Sequence, residues 1–509
     1  MKLWPFSKRR KSAEIPVDTA EASMRSFAAA QVSRLIGNWT WDPGFSNTDI
    51  CHSLAVIRAR ARDMAKNSEY FARWLQLFRT NVVGADGFAF KSFAQVSETD
   101  PKTDADAAYF VETHFARWAK SPEWCDVSGR NSLSSALRLA ADNWARDGEA
   151  FFIIDRYAQN PYGVSLRAIR PDCCDELLNT GAMNGVAIVN GVEVDVRTWR
   201  RRAYYFDLAR SDPAVGAYMV KGRPRIRVPA EDVIHVYTAH DAQQLRGVSL
   251  SHAFLRKLKM LDEYNEAELV AAKDQACSLG YFHAPAGRET EIKDLGKSES
   301  RNRLEMTKEP GSRIVLPQGW EYKTETPSHP NAMQHAFKSS MLRDIASGGG
   351  VEYANFANDW SGVTYSSVRA GTIAERDYWR TCQNELAEKF LDRIFDAWLR
   401  SFLKLAASGA YTMEDYGRLV HHSFRGRRWQ WVDPMKDVNA AALAVKNGFQ
   451  TAANVAADYG TDIDENIEEA ARLNAECERL GVTLGDAPDQ QPGGDAKKEA
   501  MQDEETAEE

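Results

Sequence analysis

The 509-residue chain is 44% apolar and 27% charged, the balance of a folded globular protein of roughly three domains rather than of a disordered one. Its formal charge of −8 argues against a protein that holds nucleic acid by neutralising many phosphates. No run of about 18 apolar residues is present, and MKLWPFSKRR reaches charge too early for a secretory signal, so neither a membrane span nor export is expected.

Residues 1 to 21 read as a mobile basic arm, with Lys2, Lys8, Arg9, Arg10 and Lys11 and no apolar periodicity. From Ala22 to Ala89 the pattern is helical: Leu54, Ile57, Ala61, Met64 and Ala65 follow three-and-four spacing, and a turn at Gly84 to Gly87 ends it. Residues 104 to 147 read as helices as well, stopped by Asp147-Gly148. After Gly148 the period becomes that of strands. Ala150 to Arg156, Val164 to Ile169, Val186 to Val196, Ala203 to Asp207 and Val233 to Tyr237 are β-prone, split by Asn160-Pro161, Asn184-Gly185 and Asn190-Gly191. A β-rich module is therefore expected from about 148 to 240.

Leu250 to Cys277 contains neither Gly nor Pro, and Phe254, Leu258, Leu261 and Leu269 fall near one face. One helix over that span would be about 42 Å long, the length of a strut. Residues 278 to 330 turn irregular and charged, with short strands expected at Arg313 to Leu316 and Trp320 to Lys323, and helix resumes from Ala332 to Ala346. Gly348, Gly349 and Gly350 then give the backbone several positive-φ options, which predicts a loop that bends or moves, running through Trp360. Ser366 to Ala407 reads as a long helix with the stripe Trp379, Leu386, Phe390, Ile394, Trp398 and Phe402. Two or three short helices follow between 436 and 480. Residues 485 to 509 are acid-rich without aromatics and are expected to be disordered.

No phosphate loop, GxGxxG or GxSxG pattern occurs, so no enzyme, cofactor or metal is expected. The seven cysteines include no CxxC, and Cys173-Cys174 reads as a plain pair of thiols. His421-His422, near Arg425, Arg427 and Arg428, reads as a solvated basic strand. The alternative to a structural role is an intracellular enzyme with a site around Glu352, Asp359 and Tyr365; a loop role for these residues is preferred, since no His or third carboxylate stands near them.

The blocks LRGVSLSHAFLRKLKMLDEYNEAELVAAKDQAC (245 to 277), PGSRIVLPQGWEYKTETPSHPN (310 to 331), LRDIASGGGVEYANFANDWSGVTYSSVRAG (342 to 371) and WVDPMKDVNAA (431 to 441), with DGEAFF at 147 to 152, stand in an order that resembles the lambda-type portal proteins of tailed bacteriophages. The resemblance covers roughly residues 20 to 480. It implies a mainly helical α+β portal fold with wing, stem, clip and crown, assembling into a ring with a central channel, normally of about twelve copies. On that pattern the wing is 22 to 249, the first stem helix 250 to 277, the clip 278 to 330, the second stem helix 331 to 347 and the tunnel loop 348 to 365. The long helix and return to the wing take 366 to 432, and the crown takes 433 to 484.

The resemblance further implies that Gly348, Gly349, Gly350, Tyr353, Asn355, Asn358, Asp359 and Trp360 face DNA in the channel. Leu258, Leu261 and Leu269 would meet a neighbouring subunit, and Lys293, Lys297, Arg301 and Arg303 would receive docking proteins on the clip. Implied partners are double-stranded DNA bound without sequence preference, the terminase or packaging ATPase, head-tail adaptors, and the major capsid and scaffold proteins. The implied location is the capsid vertex of the virion, after assembly in the host cytoplasm. A ring of about twelve such chains carries roughly −96 charges, so most of its wall would repel passing DNA rather than bind it.

Overall fold

The computed structural model describes residues 44, 46–210, 225–276, 280–283, 321–324, 333–405, 409, 411–429, 434–459, 461 and 463–480. The arm at 1 to 21, the strand expected at Arg313 to Leu316, the acidic tail and all four clip residues, Lys293, Lys297, Arg301 and Arg303, lie outside the described residues.

The helical stretch at the start is two helices, α1 (Ser46–Asn67) and α2 (Glu69–Val82), because Ser68 takes an extended conformation at φ −111° and ψ 124°. Three short strands, β1 (Ala89–Ser92), β2 (Gln95–Ser97) and β3 (Asp100–Thr103), lead into α3 (Ala105–Lys120), α4 (Pro122–Cys125) and α5 (Leu133–Asp147). Asp104 and Ser132 cap α3 and α5 by accepting the backbone N–H groups of Ala107 and Ser135, which satisfies donors that the first helical turn leaves open. Gly148, at φ 91°, ends α5 in the left-handed region.

The period-two segments build β4 (Glu149–Asp155), β5 (Ser165–Ile169), β6 (Thr180–Met183), β7 (Val186–Val189), β8 (Val192–Asp195), β9 (Arg201–Phe206), β10 (Ile226–Pro229) and β11 (Val233–Tyr237). They form two antiparallel sheets, one of order β11-β4-β5 and a meander of order β10-β9-β8-β7-β6. Asn184 and Asn190 hold positive φ beside Gly185 and Gly191, the geometry that tight hairpins require. Phe151, Tyr204, Phe206 and Val233 fill the space between the sheets. Strand β6 was not legible in the sequence, since all four of its residues are exposed and show no alternation.

The second half is α6 (Leu255–Ala276), α7 (Gln334–Gly349), α8 (Tyr353–Ala357) and α9 (Tyr365–Leu386), which runs through a π-helical turn at Ala387–Leu391 into α10 (Asp392–Leu403). Two short strands, β12 (Gly280–His283) and β13 (Glu321–Thr324), pair antiparallel between α6 and α7 in the chain. Strand β14 (His422–Arg425) returns to pair with β1. Three helices follow it, Pro434–Lys446, Ala452–Tyr459 and Ile463–Leu480. The helical core is aromatic: Trp74, Trp118, Trp144, Trp379 and Trp398 are all buried. Phe78 meets Trp144 and Trp379 edge-on at 5.5 Å and 5.7 Å, so α2, α5 and α9 share one apolar centre.

Candidate functional site

The blocks DGEAFF and LRGVSLSHAF stand almost a hundred residues apart in the chain and meet backbone to backbone. A Cβ on Gly148 would lie 2.2 Å from the carbonyl carbon of Val248, and one on Gly247 would lie 2.1 Å from the carbonyl oxygen of Gly148. Only glycine fits at either position. The contact places Glu149, wholly buried, against Arg246: the guanidinium donates from Nε at 3.0 Å and from Nη2 at 2.5 Å. The same carboxylate accepts from Arg58 Nη2, from His235 Nε2 at 3.0 Å and from the Gly247 N–H at 3.0 Å. Arg246 also donates to the Asn190 carbonyl at 2.6 Å, tying in the second sheet.

Burial alone would raise the Glu149 pKa, but Arg246 and Arg58 hold it well below the ordinary carboxylate range. Burial pushes His235 down to about 4 against the pull of Glu149. A neutral His235 with its proton on Nε2 serves that carboxylate and leaves Nδ1 to accept from the Tyr204 hydroxyl, 3.2 Å away. The cluster has no open face for a substrate. It fastens the root of α6 to α1 and to both sheets.

That fastening explains where α6 begins. The helix starts at Leu255 rather than at Leu250, because residues 249 to 251 are held by α5: Leu250 N–H and Ser249 Oγ donate to the Ala145 carbonyl at 3.1 Å and 3.2 Å. Beyond its root, α6 changes surroundings along its length. Phe254, Leu255, Leu258 and Leu261 are buried in the protomer's own core, whereas Leu269 is 69% and Val270 52% exposed. Helix α7 mirrors this, with Leu342, Ile345 and Ala346 buried and Phe337 and Met333 exposed. The two helices pair through Lys257 and Asp344 at 2.8 Å and through Tyr264 and Phe337, ring centroids 5.0 Å apart. Leu258 and Leu261 are therefore not surface residues awaiting a neighbour; of the three leucines assigned to an interface, only Leu269 is exposed.

The glycines also differ from expectation. Gly348 and Gly349 complete the last turn of α7, and Gly350 caps it at φ 67°. A Cβ on Gly349 would sit 3.1 Å from Trp74 Nε1, which donates to the Gly349 carbonyl at 3.1 Å. Gly348 is similarly close to Phe254. These glycines permit close packing instead of a swinging loop. The segment after them is anchored too: Phe356 is buried, and Arg73 donates to the Asn355 carbonyl at 3.2 Å and 3.1 Å from Nε and Nη2. Asn355 itself donates to Glu375. Tyr353 donates to Asp359 at 2.7 Å and lies under the Arg343 guanidinium at 4.9 Å. Hydrogen bonds from the Ser361 and Tyr353 hydroxyls and the Ser361 N–H bring Asp359 down to about 2. What protrudes is the tip from Asn358 to Thr364, with Trp360 52% exposed.

The remaining candidates have structural partners. Glu352 packs against Gly371, where a Cβ would lie 2.8 Å from its Oε2, while Asp359 is held by Tyr353 and Ser361, so the two carboxylates have separate partners. Among the described residues no group of three or more His, Cys, Asp or Glu is placed to hold a metal, and no helix is long and apolar enough to cross a membrane. Burial pushes the Cys173 thiol up to about 11 and that of Cys174 up to about 12, which keeps both protonated. His422 faces Asp392 at 3.2 Å, and Arg427 donates to the Thr80 carbonyl. The basic strand is tied to α2 and α10 through these contacts, while His421 and Arg427 stay exposed to solvent.

Residues 32–383 match the family described as phage portal protein, lambda family. The chain belongs to the lambda family of phage portal proteins. It is 30% identical over 466 residues to the probable portal protein of Halomonas phage phiHAP-1, covering 90% of this chain and 88% of that one. It is 22% identical to portal protein B of Escherichia phage lambda, covering 87% and 88%. A solved structure of the neck of an empty gene transfer agent particle, computed with C6 symmetry, aligns with 79% of this chain and 93% of its own at 15% identity and a TM-score of 0.42. A portal protein is a structural component of the virion, located at a capsid vertex as the conduit for DNA packaging and ejection, and is not an enzyme. The site reading around Glu352, Asp359 and Tyr365 falls with that assignment.

Proposed function

We propose that copies of this chain close into a ring in which α6 and α7 form the stem around a central channel. The carrying observation is the change along α6 from core to surface: Leu258 and Leu261 are buried at its root, and Leu269 is 69% exposed farther out. A single protomer leaves Leu269, Val270, Phe337 and Met333 in water, and a neighbouring copy of the same helix pair covers them. Residues 278 to 330, entered and left through the β12–β13 ribbon, serve as the clip, where Lys293, Lys297, Arg301 and Arg303 receive the packaging ATPase and later the head-tail adaptors. The tip from Asn358 to Thr364 meets double-stranded DNA without reading its sequence. It contains no lysine or arginine, so it touches the duplex by van der Waals contact and hydrogen bonds instead of gripping phosphates. Residues 433 to 484 form the crown, and the ring is set among capsid and scaffold proteins during assembly in the host cytoplasm.

Native mass spectrometry of the purified full chain tests the ring. Assemblies near twelve times the 57.1 kDa protomer are expected, and a population of monomers and dimers under all conditions overturns the proposal. For the clip, replacing Lys293, Lys297, Arg301 and Arg303 by alanine is expected to leave rings intact and lower packaged DNA. Normal filling with that variant removes the docking role.

A further inference from the structure

A groove of about 1150 Å³ runs along α6 from Lys259 to Ala272, between that helix, the last turn of α1, the first turn of α2 and the start of α7. Met64, Tyr70, Leu269 and Ala272 give it an apolar floor. Around the floor stand the carboxylates of Asp63, Glu69, Asp262, Glu263, Glu266 and Glu268, against the lysines Lys259 and Lys338. Both lysines have neighbours already: Lys259 pairs with Glu263 at 3.7 Å, and Lys338 lies over the Tyr70 ring at 5.7 Å. Burial, with the Glu69 carboxylate close by, pushes the Asp262 pKa upward. Like charges thus crowd a partly desolvated cleft, and a cation entering it relieves both effects.

We propose that the groove takes the basic arm at the start of the same chain, with Leu3, Trp4 and Phe6 on the apolar floor and Lys8 to Lys11 against the carboxylates. Complementarity holds in both halves. The arm carries five cations and no carboxylate within its first eleven residues, and its apolar residues come immediately before the cationic run. Chain length permits it: residues 12 to 45 span up to about 110 Å when extended. The 22-residue α1, whose last turn lines the groove, is only about 33 Å long. The inference concerns a single chain and stands apart from ring closure: the arm takes the Met64, Tyr70 and Ala272 part of the floor and leaves Leu269 to the proposed neighbour.

The test uses the full chain, mixed as light and ¹⁵N-labelled copies, with carbodiimide cross-linking and hydrogen exchange read by mass spectrometry. Links from Lys8 or Lys11 to Asp262, Glu263 or Glu266 within one copy are expected. Reversing Lys8→Glu, Arg9→Glu and Arg10→Glu should abolish the remaining Lys11 link and raise exchange across 262 to 272. Adding Glu263→Lys and Glu266→Lys should restore the protection. Exchange that ignores the reversal, arm links to other surfaces, or links only between copies overturn the proposal. Native masses of the same samples report ring closure separately, so a failed arm contact and a failed ring are told apart.

Discussion

Glu149 is kept charged in a place without water, and its charge is balanced by Arg58 and Arg246. Glu149→Ala strands both guanidinium groups in the interior and is expected to cost about 3–5 kcal/mol in chemical denaturation, where removing a surface carboxylate costs almost nothing. His235 gives the cluster a pH signature. Its pKa falls from 6.5 to about 4 on burial, so the unfolded chain binds a proton at a higher pH than the folded one does. The stability it contributes is complete above about pH 6.5 and is lost as pH falls toward 4, a change of about 3 kcal/mol. His235→Gln, which keeps a donor for Glu149, should flatten that stretch of the stability profile; an unchanged slope assigns the acid sensitivity to other groups. None of this was legible as a constellation. DGEAFF and LRGVSLSHAF stood out as blocks, but Glu149 and Arg246 are 97 positions apart, and no local pattern pairs an acid with a base across that distance.

At the scale of elements, periodicity carried most of the reading. The Asn-Gly hairpins and the β-prone runs lie where β4, β5, β7 to β9 and β11 form, and the Trp379 to Phe402 stripe lies on α9, the π-helical turn and α10, because each pattern is written within a few residues of itself. The triple glycine misled for the opposite reason. Conformational freedom and close packing call for the same residue, and the choice between them rests on Trp74, 275 positions away from Gly349. The expected outcomes follow from packing. Gly350→Ala forces a side chain into the left-handed region and should cost about 1–2 kcal/mol, and Gly349→Pro should damage the protomer before any effect on DNA passage can be read. Trp360→Ala, at the exposed tip, should leave stability within about 0.5 kcal/mol and alter packaged DNA length or retention. If Trp360→Ala procapsids fill and retain DNA like the parent, the tip does not touch the duplex.

At the scale of the whole molecule, the proposed ring has one apolar stripe serve two bodies. Leu261 and Leu269 sit two helical turns apart on α6 and look alike in the sequence, since a hydrophobic face records that something covers it and not whether the cover belongs to the same chain. Burial separates them: Leu261 is 1% exposed and Leu269 69%. Leu261→Asp would put an unpaired charge into the protomer's core, where desolvation costs several kcal/mol, so unfolding and loss of assembly should arrive together. Leu269→Asp adds a charge to a surface that water already reaches in the free chain and should leave the denaturation midpoint near that of the parent. In a ring the same aspartate becomes buried against the next copy and opposes closure. Denaturation and native mass spectrometry on both variants therefore give a two-by-two outcome. A stable Leu269→Asp protomer that no longer assembles assigns the outer half of α6 to the subunit interface, and intact Leu269→Asp rings move that interface elsewhere on the molecule.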